Sequence, residues 1–407
     1  MIGTVCLASI AVVALVALPL PPRENLAGER RGGASSIISV LSRLLASVRS
    51  RMNAEYHLQP VHSAHAREFW HNAQLLRLVS AYAIASIHIS RVVSAAHIDP
   101  EILNVLRFGT DLFVVLAGFL TAHVFGDEGK PAADYLRTRL IRIVPLYWGF
   151  TILAFLVENY AMSESNTLSE LFMSLAFVAY GPFPILYPTW SLLIIIEFSL
   201  IIAAFQLVSM KNGILYSAAF VVLLVVVGQA SGIKNPTFVF YTNPILVDFA
   251  LGILVYRLGR SGVFPLSFPR RVAIAGAAFV VAACLAAVIM RPFLWPEAPR
   301  LLALGLPTSI LLLAVVALEQ GGVYCDSKLV NFLAKCTFAI YLTHWFVNIV
   351  SERLVGESGE SALVATILLF VTPVIVTYVS VLVYLYGELP LTRYLSNWFP
   401  IVRRQAA

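Results

Sequence analysis

Long apolar segments separated by short polar connections dominate the chain after residue 70. A helix needs about 20 apolar residues to cross the hydrocarbon core of a bilayer. Segments of roughly this length lie near residues 74–94, 109–126, 141–160, 190–209, 213–231, 238–257, 271–291, 301–319, 330–352 and 363–387. The backbone of a lipid-exposed segment has to satisfy its own hydrogen bonds, which a helix does. The pattern therefore predicts an all-α integral membrane protein, a polytopic bundle of about ten transmembrane helices.

The composition supports a membrane protein rather than a soluble one. Of the 407 residues, 59% are hydrophobic and 12% are charged, and the mean hydropathy is +0.84. Soluble domains carry about one quarter charged residues. The net charge of +6 lies in short basic clusters between apolar segments. We therefore expect a lipid bilayer as partner and no nucleic acid.

The cysteines give no sign of a metal site or a disulfide framework. The four of them form no CxxC pair and no cluster with histidines. A set of metal ligands or a disulfide scaffold is usually recognisable by such spacing. We expect no metal and read the cysteines as buried thiols.

Lysine and arginine in the short connections predict the orientation. The connection at about 161–189 carries Glu164 and Glu170 but no basic residue, which favours the outer side. We therefore expect a cell (inner) membrane protein whose ten-helix core has both ends in the cytoplasm. The basic residues assigned to the cytoplasmic side are Arg43, Arg49, Arg51 and Arg67, then Lys130, Arg137, Arg139 and Arg142, then Arg257, Arg260, Arg270 and Arg271.

The chain divides into an N-terminal extension at 1–70, a membrane domain at 71–395 and a cytoplasmic tail at 396–407. In the extension, Val5 to Pro22 is apolar enough for an eleventh helix or a signal-peptide core, although no basic residue precedes it. The stretch from Ser36 to Arg51 has the pattern of an amphipathic surface helix. Met52 leaves a later translation start open.

A guanidinium and an imidazole occupy the two ends of the apolar stretch RLVSAYAIASIH, from Arg77 to His88. Such groups are costly inside a bilayer, so they favour a functional site. Eleven residues make three helical turns plus about 20°, which puts both side chains on one face, about 16 Å apart along the axis. We expect them to face the same cavity, with His88 deeper. A snorkelling arginine and a hydrogen-bonded core histidine are the structural alternatives.

A second basic cluster lies in YLRTRLIRIVPLYW, from Tyr135 to Trp148, where Arg139 and Arg142 begin the third predicted helix. Guanidinium groups suit phosphate oxygens because they donate two parallel hydrogen bonds. Cytoplasmic anchoring next to an aromatic belt is the alternative, and it needs no ligand. The residues alone leave both readings open.

Five motifs occur in order along the chain, namely R-x10-H, GTDLFVVLAGF, RLIRIVPLYW, PTWSLLIIIEF and FAIYLTHW. Together they resemble the membrane-bound acyltransferase-3 family, and most closely its exopolysaccharide O-acetyltransferases. The resemblance covers about residues 72–395, and it implies a ten-helix core and an O-acyltransferase that moves an acetyl group from acetyl-CoA to a carbohydrate hydroxyl. We expect no bound cofactor.

The resemblance implies roles for particular residues. His88 matches the family histidine regarded as the catalytic base, and Arg139 and Arg142 match the pair associated with the acyl-CoA donor, with Arg77 as a further donor-binding residue. Asp111 is a candidate to orient His88 or the acceptor. The acceptor is expected to be an exopolysaccharide, an O-antigen or a lipid-linked glycan.

Other motif positions are substrate-binding or structural candidates, namely Trp190, Glu197, Tyr341 and His344. Two positions depart from the family pattern: Ala117 stands where the family has serine, and Ile195 stands where it has a carboxylate. Glu197 lies two residues further on, about 200° around the helix. Its equivalence to the family carboxylate is therefore open.

Two other function classes remain open. The polar residues of the bundle also suit a proton relay or substrate path in a secondary transporter, and a non-enzymatic component of polysaccharide export is the third reading. Basic residues at the inner face together with a buried histidine suit a soluble anionic donor better than a path through the membrane.

For the acidic residues Asp248 and Glu388, we expect structural pairs with arginine.

Overall fold

We describe the fold from a computed structural model. It describes residues 70–126, 129–162, 165–181, 183–261, 270–294 and 299–399, together with residues 46, 47, 50, 51 and 54. The apolar segment from Val5 to Pro22 and the end of the tail from residue 400 lie outside the described residues, as does most of the stretch from Ser36 to Arg51.

The described part of the chain is helical and contains no strand. Short 3-10 segments at Pro100–Arg107 and Tyr187–Thr189 and π-helical segments at Leu301–Gly305 and Tyr384–Glu388 join or extend the α-helices. The α-helices are α1 (His71–Ile87), α2 (Ser90–Ala95), α3 (Phe108–Phe125), α4 (Ala132–Ala161), α5 (Leu168–Leu175), α6 (Trp190–Val208), α7 (Gly213–Ser231), α8 (Pro236–Tyr241), α9 (Leu246–Arg260), α10 (Arg270–Leu294), α11 (Leu306–Gln320), α12 (Lys328–Lys335), α13 (Thr337–Glu357), α14 (Ala362–Val383) and α15 (Leu389–Trp398).

Seven helices of the described chain are long and apolar enough to cross a membrane, or eight if the bent pair α12 and α13 counts as one span. Each of the ten predicted segments is mostly helical, but the count of ten spans is not confirmed. The segment at 271–291 lies in α10, within which Ile274–Ala287 is a shorter apolar stretch of helix among the described residues. The spans are Pro100–Phe125, Ala132–Tyr160, Tyr187–Val208, Gly213–Ser231, Pro236–Arg260, Leu301–Gln320 and Ala362–Trp398.

The first predicted segment, 74–94, is not one continuous helix. Helix α1 ends at Ile87, and the chain leaves helical geometry at His88 (φ −99°, ψ 28°) before α2 begins at Ser90. A helix C-terminus leaves carbonyl groups without partners. The buried Asn348 of α13 donates its Nδ2 to the Ala85 carbonyl over 2.8 Å. This contact from a distant helix stabilises a break that no glycine or proline marks.

The start of α1 is held by residues far along the chain. The Glu319 carboxylate accepts hydrogen bonds from the backbone N–H groups of His71 and Asn72, at 2.6 and 3.0 Å. The Asn72 side chain accepts from Cys325 N at 3.0 Å and donates to Val323 O at 2.9 Å. An acidic group at a helix N-terminus satisfies free N–H groups and complements the helix dipole. The first turn of α1 is thereby placed against α11 and the connection after it.

Helices α3 and α9 pack with their backbones close together. A Cβ on Gly118 would lie 2.2 Å from the Phe249 carbonyl oxygen, and one on Gly252 would lie 2.0 Å from the Val115 carbonyl oxygen. Small residues allow such close approach between helices in a membrane. Gly118, the glycine of the AGF motif, therefore has a packing role. The close crossing with α9 fixes the position of α3, which lines the candidate site described below.

Candidate active site

Three arginines predicted from two different sequence motifs line one cavity. The cavity has a volume of 520 Å³ and lies between α1, α3, α4, α6 and the start of α13. Arg77 projects from α1, and Arg139 and Arg142 project from α4. We call this space the arginine cavity. Its three guanidinium groups form a cationic region that suits a polyanionic ligand.

Each guanidinium group of the arginine cavity has an oxygen partner. Arg77 donates Nη1 to Gln74 Oε1 at 2.8 Å and Nη2 to Thr337 Oγ1 at 3.0 Å. Arg139 donates Nη2 to Thr121 Oγ1 at 2.5 Å. These neutral partners orient both guanidinium groups without cancelling their charge.

Arg142 is held differently, because it pairs with a carboxylate. Its Nε lies 3.1 Å from Oε1 of the buried Glu388, while its side chain is 43% exposed. Glu388 Oε2 is buried with no hydrogen-bond partner among the described residues. The expected structural pair of Glu388 with an arginine is confirmed by this contact.

The rest of the cavity wall is largely apolar. Phe113, Leu116 and Leu120 of α3 line it, together with Leu192 of α6 and Phe338 of α13. The two positions where the sequence departs from the family pattern, Ala117 and Ile195, line it as well. An apolar wall next to a cationic region suits a ligand with a charged end and an apolar arm.

His88 lies elsewhere, in a pair with His344. It is not among the lining residues of the arginine cavity, so the expectation that Arg77 and His88 face one cavity is wrong. The rings of His88 and His344 are stacked with 5.5 Å between centroids and 29° between planes. We call these two residues the histidine pair. The break after Ile87 moves His88 off the regular helix, so positions extrapolated along α1 do not hold there.

The buried ring of His344 has one hydrogen-bonded nitrogen and one unpaired nitrogen. Nδ1 lies 3.2 Å from the Ile340 carbonyl oxygen, and Nε2 is buried without a hydrogen-bond partner among the described residues. A carbonyl only accepts, so Nδ1 carries the proton in this contact and Nε2 of a neutral ring presents a lone pair. Such a nitrogen can accept a proton or hold a hydroxyl group.

Tyr341 lies between the arginine cavity and the histidine pair. Its ring stacks on Phe113, which lines the cavity, at 6.1 Å and 3° between planes, and it lies 6.2 Å from the His344 ring. Its hydroxyl donates to the Pro188 carbonyl at 2.6 Å and lies 2.9 Å from Ser191 Oγ. The YLTH motif thus contributes one ring next to the cavity wall and one ring to the histidine pair.

Asp111 is paired with an arginine rather than with His88. The buried Asp111 accepts two hydrogen bonds from Arg300, at 2.9 Å from Nε and 2.8 Å from Nη2. This bidentate geometry is the strong form of an arginine–carboxylate contact. Both carboxyl oxygens of the buried Asp248 have no hydrogen-bond partner among the described residues, so its expected pairing with an arginine is not seen as a hydrogen bond.

The remaining candidates lie at two places on α6. Trp190 begins the helix, and the Arg300 guanidinium carbon lies 5.9 Å from its ring centroid, so Trp190 lies next to the Asp111–Arg300 pair. Glu197 does not line the arginine cavity, and its Oε2 is buried with no hydrogen-bond partner among the described residues. Neither residue is among the ring contacts of the histidine pair.

Sequence reasoning missed several residues of this region. Thr337 directly precedes the FAIYLTHW motif and was not considered, although it orients Arg77. Tyr187 contacts His88 edge to face at 5.6 Å, and only its position three residues before Trp190 of the PTWSLLIIIEF motif hints at the site. No local pattern indicates the pairing of Arg300 with Asp111.

Comparisons with known proteins agree with this geometry. Residues 70–384 match the family model described as an acyltransferase domain. The exopolysaccharide production protein ExoZ of Rhizobium meliloti (strain 1021) is 25% identical over 303 residues, which cover 70% of this chain and 89% of ExoZ. No solved structure gives a significant match to the chain.

Proposed function

The chain belongs to the acyltransferase-3 family, and we propose that it moves an acetyl group from acetyl-CoA to a hydroxyl group of a cell-surface or secreted carbohydrate. Membership in this family makes it an acyltransferase, and its apolar helices make it a multi-pass membrane protein. The observation that carries the proposal is that three arginines share one cavity, whose wall residue Phe113 stacks on Tyr341 next to the histidine pair.

A CoA thioester suits the arginine cavity as donor. The phosphates of CoA are polyanionic, and Arg77, Arg139 and Arg142 supply cationic donors for them. The apolar wall suits the pantetheine arm, which carries the thioester away from the phosphates toward Phe113 and Tyr341. A cationic region placed at the inner face of the membrane would draw the donor from the cytoplasm, where acyl-CoA is made.

The histidine pair would supply the base. His88 takes the proton of the acceptor hydroxyl while that oxygen attacks the thioester carbonyl carbon. The tetrahedral intermediate collapses, the carbon–sulfur bond breaks, and the departing CoA thiolate takes up a proton from the His88 imidazolium. The ester and free CoA are the products, and His88 returns to its neutral form. The His344 Nε2 lone pair is available to hold the hydroxyl or to steady the imidazolium.

The acceptor class is supported by the relative ExoZ, which is described as an exopolysaccharide production protein. An exopolysaccharide, an O-antigen or a related lipid-linked glycan would present the hydroxyl. The acyl group is proposed as acetyl, with succinyl as the alternative. The mass-spectrometry test described next distinguishes the two.

The proposal is tested by mass spectrometry of the surface polysaccharide from cells with the chain, without it, and with His88→Asn in its place. We expect one acetyl group per repeat to be present only with the unsubstituted chain. A succinyl group in its place would correct the donor. Unchanged polysaccharide in all three strains would overturn the proposal, and uptake of a labelled solute by vesicles without any modification would favour a transporter.

A further inference from the structure

Two aromatic side chains of the connection between α5 and α6 lie next to His88. Phe183 is 44% exposed and Tyr187 is 39% exposed, whereas residues 184–186, 188 and 189 are buried. Their rings lie 4.4 Å apart between centroids at 49°. Tyr187 also contacts the His88 ring edge to face, at 5.6 Å and 89°. We call Phe183 and Tyr187 the aromatic platform.

The connection that carries the platform is fixed by polar contacts from other helices. Ile185 N donates to Ser174 Oγ at 3.1 Å, and Ala179 N donates to Tyr241 Oη at 3.1 Å. Buried Tyr147 donates its hydroxyl to the Ser174 carbonyl at 2.8 Å. The position of the platform next to His88 is therefore set by the fold and not by a free loop.

Exposed aromatic residues of a membrane protein usually face lipid at the interface. Phe172 of α5, the helix just before this connection, serves as an example, since it is 71% exposed and has no ring contact with His88 among the described residues. The platform differs because its two rings contact each other at a tilt of 49° and one of them contacts the proposed base. A purely lipid-facing role does not account for that contact.

We propose that the aromatic platform binds a pyranose ring of the acceptor glycan and presents one of its hydroxyl groups to His88. This inference rests on the proposed function. The C–H face of a pyranose packs on an aromatic ring, while its hydroxyl groups project from the ring edge. Tyr187 adds a polar hydroxyl to an apolar face, which suits an amphipathic ligand such as a sugar. The His88 ring is perpendicular to the Tyr187 ring with 5.6 Å between centroids, so a hydroxyl group at the edge of a sugar bound on the platform would lie next to His88.

The test measures binding and transfer separately on the full-length protein in detergent. The probe is polysaccharide purified from cells that lack the chain, and its affinity is measured for the unsubstituted protein and for Phe183→Ala, Tyr187→Ala and Tyr187→Phe. Acetyl transfer is followed with radiolabelled acetyl-CoA. We expect Tyr187→Ala to weaken polysaccharide binding about tenfold, which corresponds to about 1.4 kcal/mol, because the sugar loses the ring on which it packs. The KM for acetyl-CoA should stay unchanged. Tyr187→Phe keeps the ring and should retain most of the affinity.

Phe172→Ala is the matched control, because it removes an exposed ring from α5, the helix just before the connection, away from His88. Equal losses in Phe172→Ala and Tyr187→Ala, or no loss in Tyr187→Ala, would overturn the subsite. An unsubstituted protein that does not bind the polysaccharide would overturn it too. Platform-dependent binding without acetyl transfer would keep the subsite and refute the proposed function. Transfer that is insensitive to the platform would keep the function and refute the subsite.

Discussion

In the arginine cavity every guanidinium group has an oxygen partner, whereas in the histidine pair a ring nitrogen is left without one. Thr337 and Thr121 orient Arg77 and Arg139, and Glu388 pairs with Arg142. The histidine pair is surrounded by aromatic rings, and His344 Nε2 has no hydrogen-bond partner among the described residues.

This difference separates binding from chemistry. Cations that are already oriented can hold an anion without further ordering, which reduces the entropic cost of binding. In the histidine pair, the unpaired Nε2 of His344 presents a lone pair beside the proposed base His88, where it can hold the acceptor hydroxyl or the imidazolium. We therefore expect substitutions in the cavity to change donor affinity and substitutions in the histidine pair to change the rate.

The largest effect is expected for His88→Asn. Loss of a positioned base lowers kcat by about 10²- to 10⁴-fold, and acetyl-CoA affinity should stay unchanged because His88 does not line the arginine cavity. Transfer of radiolabel and equilibrium binding of acetyl-CoA measure the two quantities. His97→Asn is the control, since His97 is an exposed histidine with positive φ, a conformation that asparagine also adopts. Retained transfer in His88→Asn would point to His344 as the base.

The second prediction concerns Asp111, which belongs neither to the arginine cavity nor to the histidine pair. Asp111→Asn removes the buried carboxylate of a bidentate ion pair whose arginine is 37% exposed, which we expect to lower the free energy of unfolding by about 2–3 kcal/mol. Thermal unfolding in detergent measures the loss. Glu357→Gln breaks the exposed Arg353–Glu357 pair as a control and should cost less than about 0.5 kcal/mol. A large fall in kcat at unchanged stability would instead support the expectation from the sequence that Asp111 orients His88 or the acceptor.

The third prediction concerns the cavity. Arg139→Ala should raise the KM for acetyl-CoA about tenfold or more and leave kcat nearly unchanged, because a hydrogen bond to a charged group contributes about 1.5–3 kcal/mol. Steady-state kinetics over a range of donor concentrations separate the two constants. Arg137→Ala is matched to it, since Arg137 lies on the same helix but donates to the Ser396 carbonyl and does not line the cavity. Equal effects of both substitutions would argue against a specific donor site.

The smallest effect is expected from salt. The partly exposed guanidinium of Arg142 interacts with phosphate through a screened field, and the screening length falls from about 10 Å at 0.1 M salt to about 3 Å at 1 M. We expect the KM for acetyl-CoA to rise about threefold over this range, while polysaccharide binding at the aromatic platform changes little. The KM for acetyl-CoA and the affinity for the polysaccharide are both measured at each salt concentration. A salt-independent donor KM would contradict a cationic donor site.

Parts of this picture could be predicted from local sequence. Apolar segments of span length predicted helix throughout the described membrane region, because the bilayer leaves the backbone no other way to satisfy its hydrogen bonds. Arg77 stood out because charged residues are rare in such segments, and Arg139 and Arg142 stood out as a basic cluster that matches the family pair associated with the acyl-CoA donor. All three line the same cavity.

Other parts could not be predicted. The helix break after Ile87 depends on Asn348, which lies 263 positions from Ala85, so no local pattern marks it. The Asp111–Arg300 pair joins residues 189 positions apart, and the contact of Tyr187 with His88 likewise crosses from one helix to a distant connection. Such contacts depend on how the helices pack, which a pattern of apolar residues leaves unspecified.

By itself the sequence determined a membrane bundle, its apolar segments and the few polar residues within them. The reason is that the free-energy cost of placing a side chain in lipid depends on that side chain, so composition alone reveals it. Only the tertiary structure decided that the arginines share one cavity, that His88 pairs with His344 outside it, and that Asp111 belongs to Arg300. The physical reason is that hydrophobicity acts on each segment separately, whereas hydrogen bonds, ion pairs and ring contacts require particular side chains from different helices to meet.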